Sequence, residues 1–300
     1  MPESILVSVC IIAYNIEPFI GEAIESVLMQ KTNFPVQLVI GEDMSPDSTR
    51  QICIEYKNKY PDKIKLILND KNLGLTANSI NTQNHCDGKY IAMCDGDDYW
   101  TDPNKLQIQV DFLETHPDYA GIAHQATVIY DDNSHEPHNF RGRIESDLYL
   151  KDMVELRKFH TSTLVYRKYI WEKYNGIPAN IHANERAMYY IIATEGKIRY
   201  LDSPMGVYRL SGLGISARIT PQILKHDFKM IPWIMSINKD FPKYRYKSYL
   251  YYSLFTYPNR VSRWELIKYY IPFAFYSFSY FPHNIKRILR ALKNDVIARL

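Results

Sequence analysis

Short apolar runs alternate with segments of helical spacing through the first 130 residues, and this alternation constrains the fold more than any other feature. The apolar runs lie at residues 5–13, 36–40, 64–68, 90–94 and 121–130, and the segments of helical spacing at 18–30, 45–59, 75–85 and 103–115. The runs have the length and β-branched content of strands and lack polar alternation. Strands buried on both faces and separated by helices predict an α/β fold, with a mostly parallel sheet flanked by helices.

Polar side chains follow three of these runs, at the point where each predicted strand ends. They are Tyr14, Asn15 and Glu17 after the first run, Glu42 and Asp43 after the second, and Asp95, Asp97 and Asp98 after the run 90–94. In parallel sheets, ligands bind outside the carboxyl ends of the strands. The sequence therefore predicts a binding site at this edge of the sheet.

The segment Asp95-Gly96-Asp97-Asp98 places three carboxylates within four positions. Such carboxylates repel one another unless a cation or a proton lies among them. Oxygen ligands favour Mg²⁺ or Mn²⁺, which keep positions open for phosphate oxygens. A solvated turn is the alternative, because Asp and Gly are common in turns. An EF-hand is excluded, because Tyr99 and Trp100 stand where that loop needs a small polar residue and a glycine.

Overall composition excludes several other classes of protein. The 300 residues include 36 basic and 33 acidic residues, a net charge of +3 that is too even for a nucleic-acid binder. The four cysteines form no C-x-x-C pair, which indicates reduced thiols of a cytoplasmic protein instead of a disulfide framework or a zinc site. The N-terminal residues resemble no signal peptide, and no apolar stretch reaches the length of about 18 residues that a transmembrane helix needs.

Six segments, in this order and at this spacing, resemble the inverting bacterial glycosyltransferases of family 2, which have the GT-A fold. They are VSVCIIAYN (Val7–Asn15), GEDMSPDST (Gly41–Thr49), NLGL (Asn72–Leu75), DGKYIAMCDGDDYW (Asp87–Trp100), HTSTLVYRK (His160–Lys168) and NERAMYYIIATEGKIRYLDSPMGVYR (Asn184–Arg209). The resemblance covers residues 5–216. It implies a Rossmann-like nucleotide-sugar domain over 1–216, with a donor half at about 5–130 and an acceptor half at about 131–216.

The resemblance also implies a metal-dependent reaction and a set of donor-binding residues. The donor would be a nucleotide-diphosphate sugar, with UDP as the expected nucleotide, and the cofactor Mn²⁺ or Mg²⁺ held by Asp97 and Asp95. The acceptor would be a glycan or a lipid-linked glycan in the synthesis of a cell-surface polysaccharide. The positions that match the donor site of the family are Ala13, Tyr14, Asn15, Glu17, Asp43, Asn72, Asn78, Asp95 and Arg209.

Glu185 matches the position of the catalytic base in the family, where Asp is often found. A carboxylate there can take the proton of the acceptor hydroxyl. The alternative is structural, since acidic residues are favoured in the first turn of a helix.

Two further positions matter to the interpretation of the site. Ser211 stands where many relatives have a His, so the loop SGLGIS (211–216) is expected to close on the donor through its backbone. His160 is a candidate contact for the acceptor or a phosphate, or simply a hydrogen-bonded histidine near a strand.

Residues 217–300 differ in composition and predict a helical, aromatic-rich region. Ten of the 25 tyrosines lie between 241 and 281, and Pro272 interrupts the dense aromatic run at 269–281. Residues 285–300 have the spacing of a basic amphipathic helix. We expect peripheral membrane contact through 265–300, on the inner face of the membrane. A helical cap on the sheet domain and a homodimer contact are the alternatives.

Two other functions are compatible with parts of the pattern. A sugar-1-phosphate nucleotidyltransferase also combines a parallel sheet with acidic metal ligands, but it would show a glycine-rich, basic loop where this chain has AYNIEPFIG (13–21). A non-catalytic carbohydrate-binding protein would keep the fold without turnover.

Overall fold

A computed structural model describes residues 4–142, 145–178, 180–181, 184–211, 221–256, 262–278 and 285–296. The chain forms two compact units. The first, called here the sheet unit, comprises residues 1–149, 158–179 and 191–214. The second, the helical unit, comprises residues 150–157, 180–190 and 215–300.

The sheet unit contains one ten-stranded sheet. Its strands are β1 (Val7–Ala13), β2 (Val36–Glu42), β3 (Ile64–Leu68), β4 (Tyr90–Asp95), β5 (Tyr99–Trp100), β6 (Tyr119–Tyr130), β7 (His138–Asn139), β8 (Ser146–Leu148), β9 (Val165–Arg167) and β10 (Lys197–Leu210). The order is β3-β2-β1-β4-β9-β6-β10-β5, with β7 paired to β6 and β8 to β10.

The helices follow the strands as the sequence predicts. They are α1 (Glu17–Leu28), α2 (Thr49–Lys59), α3 (Leu75–Asn84), α4 (Lys105–Thr115), α5 (Leu150–Met153), α6 (Lys168–Lys173), α7 (Asn184–Glu195), α8 (Pro221–His226), α9 (Met230–Ile237), α10 (Lys243–Thr256), α11 (Arg263–Phe278) and α12 (Ile285–Ala291). Short 3₁₀ turns lie at Thr161–Thr163 and Asp227–Lys229, and a π-helical turn at Leu292–Val296.

The first four strands of the order form the predicted parallel sheet. β1 pairs in parallel with both β2 and β4, and β2 with β3. Val9, Cys10 and Ile11 are consecutive and all buried, so both faces of β1 are covered. Ile20 and Ile24 of α1 belong to the same core. The predicted α/β fold is confirmed. The runs lack polar alternation because the strands are buried on both faces, as we expected.

The second half of the sheet is mixed. β9 is antiparallel to both β4 and β6, whereas β10 runs parallel to β6. β5 and β8 add antiparallel edges to β10. The sheet is thus parallel from β3 through β4 and mixed from β9 onward.

The helical unit packs α10, α11 and α12 around a second core. Leu254 and Phe255 of α10, Leu266 and Phe273 of α11 and Ile288 of α12 are buried together. Pro272 lies inside α11, so the prediction that it interrupts the aromatic run was wrong. The packing of Phe273 and its neighbours maintains the helix through the proline, which removes one backbone donor.

Across the described parts of the chain, no helix combines the length and the apolar character needed to cross a membrane. The four cysteines, Cys10, Cys53, Cys86 and Cys94, are buried free thiols.

Candidate active site

The polar ends of β1, β2 and β4 meet at one edge of the sheet, as the sequence predicts. Ala13 at the end of β1 lies opposite Glu42 at the end of β2, and Ile12 lies opposite Asp95 at the end of β4. The backbone N–H of Asp43 donates to the Ala13 carbonyl at 3.0 Å. This register brings the side chains that follow the three strands to a shared edge.

The loop after β1 is hydrogen-bonded to the loop after β2. The backbone N–H of Asn15 donates to Ser45 Oγ at 3.1 Å, and that of Ile16 donates to Thr49 Oγ1 at 3.0 Å. Asn15 and Met44 both have positive φ, 54° and 57°. Tyr14 and Asn15 are exposed at this edge. The two loops therefore form one connected surface.

Glu17 also connects these loops. Its backbone N–H donates to Asp47 Oδ2 at 3.0 Å, and its carboxylate accepts from the Ser48 N–H at 3.0 Å. Glu17 is an exposed residue at the start of α1. Glu17 therefore joins the two loops, and its role at the donor stays a prediction.

Asp43 is buried beneath the loop that carries the NLGL segment. Its Oδ1 accepts from Asn69 Nδ2 at 2.9 Å and from the Leu73 N–H at 2.8 Å, and its Oδ2 accepts from the Gly74 N–H at 2.9 Å. Gly74 has φ +82°, a conformation that favours glycine. Asp43 therefore fixes the shape of the loop 69–74. A change at Asp43 would affect a bound ligand by changing the conformation of that loop.

Asn72 and Asn78 occupy different environments. Asn72 is exposed, and its Oδ1 accepts from the Gly74 N–H at 2.9 Å. Asn78 is buried, accepts from Asn69 Nδ2 at 2.9 Å and donates to the Gly41 carbonyl at 2.8 Å. A Cβ on Gly41 would lie 2.8 Å from Asn78 Oδ1, so close approach of α3 to β2 requires glycine there. Asn78 thus joins α3 to the sheet.

The acidic turn after β4 places one carboxylate in the interior. Asp98 is 1% exposed, and its Oδ1 accepts from the Arg209 N–H at 2.9 Å. Its Oδ2 accepts from Ser162 Oγ at 2.5 Å. Burial raises the pKa of the Asp98 carboxyl well above its usual range, and the neighbouring charges of Asp97 and Asp95 raise it further.

Asp95, Asp98 and His160 form a cluster of potential metal ligands. One ligand atom from each lies within 4.8 Å of the other two, and His160 Nδ1 is 3.2 Å from Asp98 Oδ2. His160 is buried and stacks on the Tyr208 ring with centroids 3.9 Å apart. The imidazole of this cluster therefore comes from the segment HTST.

The donor set of this cluster fits a divalent cation. Two carboxylates and one imidazole suit Mn²⁺, and the carboxylates suit Mg²⁺. Burial first, and then repulsion by Asp97 and Asp95, raises the pKa of Asp98, and a bound cation would offset that repulsion.

Asp97, the principal metal ligand expected from the resemblance, is half-buried beside this cluster. Its carbonyl accepts from Arg209 Nε at 3.1 Å. Its assignment as a ligand stays a prediction, whereas the geometry of Asp98 and His160 adds two candidates.

Arg209 is engaged by acidic side chains of the sheet unit. Its guanidinium contacts Asp131 Oδ1 at 2.9 Å and Glu22 Oε2 at 2.5 Å. It also lies over the Phe19 ring, 4.8 Å from the centroid. These contacts hold the guanidinium in place, and the role of Arg209 at the donor stays a prediction.

A buried polar chain lies behind the cluster. The Trp100 indole donates to the Ser162 carbonyl at 2.8 Å, and Lys105 Nζ lies 3.8 Å from the centroid of that ring. Lys105 Nζ donates to Gln109 Oε1 at 2.8 Å, and Gln109 Nε2 donates to the Thr163 carbonyl at 2.9 Å. Burial lowers the pKa of Lys105 to about 7. Two buried side chains of α4 thus support the turn that carries Ser162.

Glu185, the predicted base, lies in the first turn of α7 in the helical unit. Arg157 Nη1 is 3.3 Å from Glu185 Oε2, and the Glu185 side chain is 38% exposed. The following residue, Arg186, donates to the Glu155 carbonyl at 2.9 Å and to the Tyr249 hydroxyl at 2.6 Å. The start of α7 is therefore held by its neighbours while the Glu185 carboxylate stays accessible.

The predicted loop SGLGIS (211–216) lies outside the described residues except for Ser211.

Comparison with known proteins identifies the family. The family model for Glycosyl transferase family 2 matches residues 8–174, more than half of the chain. The chain belongs to glycosyltransferase family 2. The match begins in β1 and extends past β9, so it includes the acidic turn and the HTST segment.

Two curated proteins are similar to this chain in sequence. Rv1520 of Mycobacterium tuberculosis is 36% identical over 208 residues, which cover 69% of this chain and 60% of that protein. WfgD of Escherichia coli, a UDP-Glc:alpha-D-GlcNAc-diphosphoundecaprenol beta-1,3-glucosyltransferase, is 33% identical over 108 residues, or 36% of this chain and 41% of that protein. The chain thus spans about 60% of the length of the mycobacterial relative.

Among solved structures, TarS 1–349 of S. aureus in complex with UDP-GlcNAc has a TM-score of 0.64 to this chain. The two are 17% identical, and the likeness covers 96% of this chain and 80% of that one. The predicted GT-A fold is confirmed by this likeness.

Proposed function

We propose that the protein is a metal-dependent inverting glycosyltransferase. It moves a sugar from a nucleotide-diphosphate donor, a UDP-sugar, to a glycan or lipid-linked acceptor in the synthesis of a cell-surface polysaccharide. The observation that carries this proposal is the Asp95–Asp98–His160 cluster at the end of β4, next to the joined loops after β1 and β2. Membership of family 2 supports the reaction type.

The choice of donor and acceptor follows the relatives. TarS was solved with UDP-GlcNAc, and the name of WfgD specifies UDP-Glc and a diphosphoundecaprenol-linked acceptor. The polar edge formed by Ala13, Tyr14, Asn15 and the loop that Asp43 holds is the place we assign to the nucleotide. Asn72 lies exposed on that loop and can contact the donor directly.

Asp95, Asp98 and His160 would hold the cation, with Asp97 as a further carboxylate beside them. When bound, Mn²⁺ or Mg²⁺ supplies positive charge to the diphosphate that leaves. Ser162 and Tyr208 hold the residues of the cluster in position. The Ser162 hydroxyl donates to the Asp98 carboxylate and accepts from the Asp95 backbone N–H, and the stack on Tyr208 fixes the plane of the His160 ring.

Glu185 is the base in this proposal. Its carboxylate takes the proton of the acceptor hydroxyl while the acceptor oxygen bonds to the anomeric carbon and the bond to the diphosphate oxygen breaks. A single displacement of this kind inverts the configuration and needs no enzyme nucleophile. Arg157, at 3.3 Å, orients the carboxylate.

Release of UDP from candidate donors tests this function. The purified chain is incubated with UDP-glucose or UDP-GlcNAc and Mn²⁺, with and without EDTA, and the nucleotide is quantified by chromatography. We expect metal-dependent UDP release from one donor, which a glycan or polyprenyl-diphosphate acceptor accelerates. A donor that raises the melting temperature without UDP release in any acceptor mixture would indicate a binding protein. Pyrophosphate release from UTP and a sugar 1-phosphate would indicate a nucleotidyltransferase.

A further inference from the structure

An exposed apolar stripe runs along α11 in the helical unit. Trp264, Ile267, Ile271, Phe275 and Phe278 follow one another at steps of three or four residues, so they lie along one face of the helix. Their exposed fractions range from 37% at Ile267 to 82% at Trp264. We call these residues the outer stripe. A contiguous exposed apolar surface marks a place where another surface binds.

The opposite face of α11 already supplies the packing that holds the helix. Leu266, Tyr269 and Phe273 are buried in the core of the helical unit. The Ser277 hydroxyl lies 2.6 Å from that of Ser248 on α10, and both are buried. The fold of the unit therefore does not need the outer stripe to be apolar, and its composition calls for a different explanation.

The exposed charged side chains of this segment are all basic. On α11, α12 and the turn Leu292–Val296 they are Arg263, Lys268, Lys286, Arg290 and Lys293. Within these described elements, the acidic residues Glu265 and Asp295 are half-buried and none is exposed. The Glu265 carboxylate accepts from Ser262 Oγ at 3.0 Å. Apolar and cationic groups thus make up nearly the whole exposed surface of this segment.

We propose that the outer stripe and these basic residues dock the chain on an anionic lipid surface. Apolar and aromatic side chains enter the interface between headgroups and acyl chains, and Lys and Arg pair with the anionic headgroups. Trp264, the most exposed of the stripe residues, suits headgroup depth because its ring is both apolar and a hydrogen-bond donor. Because the inner face of α11 stays packed on α10, the helix lies on the lipid surface.

The charge of the face favours lipid over a second copy of this chain. In a two-fold symmetric contact the same face meets itself, which would place the basic residues of one copy against those of the other. Like charges that face each other weaken an interface. An anionic lipid surface complements all of them at once. Ile285 and Leu289, exposed on α12, add apolar area to the same segment.

Flotation with lipid vesicles tests the proposal. The full chain is mixed with vesicles of phosphatidylcholine alone or with phosphatidylglycerol, and the bound fraction is measured. We expect binding to the anionic vesicles that falls as salt is added. Ile271→Glu should weaken it about tenfold or more, since it removes an apolar side chain from the proposed lipid contact and adds a charge that the anionic surface repels. Ile108→Glu, at an exposed apolar position of α4, is the matched control and should bind normally.

A second pair of variants separates charge from apolar contact. Lys268→Gln combined with Arg290→Gln should reduce binding to anionic vesicles, whereas Lys63→Gln, at an exposed position of the sheet unit, should not. Lipids brominated near the headgroup should quench part of the tryptophan fluorescence of the wild type. This quenching should be absent in Trp264→Phe. This quenching reports the contact of Trp264 with lipid directly.

Failure to float with anionic vesicles would overturn the proposal, as would normal flotation of Ile271→Glu. A wild-type dimer in sedimentation velocity that Ile271→Glu converts to monomer, without vesicle binding, would assign the stripe to a second copy and also overturn it. None of these measurements uses sugar transfer, so the result is independent of the proposed reaction.

Discussion

The Ser162 hydroxyl donates to Asp98 Oδ2 at 2.5 Å, and Ser162 Oγ accepts from the Asp95 backbone N–H at 3.0 Å. One serine on the turn Thr161–Thr163 thus contacts both acidic candidates of the cluster. His160 begins the same turn, and its Nδ1 lies 3.4 Å from the Ser162 nitrogen. The position of this turn against the end of β4 therefore determines the shape of the candidate metal site.

Ser162→Ala should weaken the cluster and the fold together. The change leaves the buried Asp98 oxygen and the Asp95 N–H without their shared partner, at a cost of about 1–3 kcal/mol in the free energy of unfolding. Mn²⁺ affinity, measured by calorimetry, should fall as well. Ser79→Ala removes another buried hydroxyl, one that accepts from Gln83, and serves as the control. Unchanged Mn²⁺ affinity in Ser162→Ala beside a loss of stability in both variants would contradict a positioning role.

Asp43→Asn should lower donor affinity through the loop 69–74. The variant places an amide where the carboxylate accepts from the Leu73 and Gly74 N–H groups, and charge-assisted hydrogen bonds contribute about 1.5–3 kcal/mol each. Binding of UDP, followed by thermal shift in the presence of Mn²⁺, checks this. Asp70→Asn, at the exposed neighbouring position, is the control and should bind as the wild type does. Equal UDP affinity in the two variants would exclude the loop from the donor site.

Lys105→Met should change how stability depends on pH. Burial lowers the pKa of Lys105 to about 7 in the folded chain, from the ordinary value of 10.5. Below about pH 7 both states carry the proton. Between about pH 7 and 10.5 the unfolded chain binds more protons than the folded chain, so the Lys105 contribution to the free energy of unfolding rises with pH.

The stability of wild type relative to Lys105→Met is therefore expected to increase from pH 6 to pH 9. Urea denaturation of both proteins across this range measures the difference. Parallel stability curves would show that Lys105 has an ordinary pKa and is charged inside the fold over the whole range.

Glu185→Gln should separate catalysis from binding. The amide keeps the shape of the side chain but cannot take a proton, and loss of a general base lowers rates by about 10²–10⁴. The affinity for UDP with Mn²⁺ should stay unchanged. Glu172→Gln, at an exposed glutamate of α6, is the control. If UDP affinity and turnover fell together in Glu185→Gln, the residue would instead stabilise the start of α7.

The parallel half of the fold follows from sequence because its signals are local. The runs that form β1 and β4 are mostly apolar and buried on both faces, and each matches the observed strand within two residues. β9 could not be located in this way. It is three residues long and antiparallel to β4 and β6, and only its pairing partners define it.

The candidate site was predicted in its position and only partly in its membership. The carboxylates at the end of β4 are visible in the sequence because three of them lie within four positions. The contact of Asp98 with His160 joins positions far apart in the chain, and no periodicity reports it. The burial of Lys105 is not visible in the sequence either, because it depends on the contacts that Trp100 and Gln109 offer in the fold.

The central claim is that the Asp95–Asp98–His160 cluster binds the cation that the nucleotide needs, and calorimetric titration of UDP with and without Mn²⁺ tests it most directly. The proteins compared are the wild type, Asp95→Asn and His160→Gln. His116→Gln, at an exposed histidine, is the control. The account predicts Mn²⁺-dependent UDP binding in the wild type and in His116→Gln, and a loss of at least about tenfold in the two cluster variants, which corresponds to about 1.4 kcal/mol. UDP binding that is indifferent to Mn²⁺ and equal in all four proteins would contradict it.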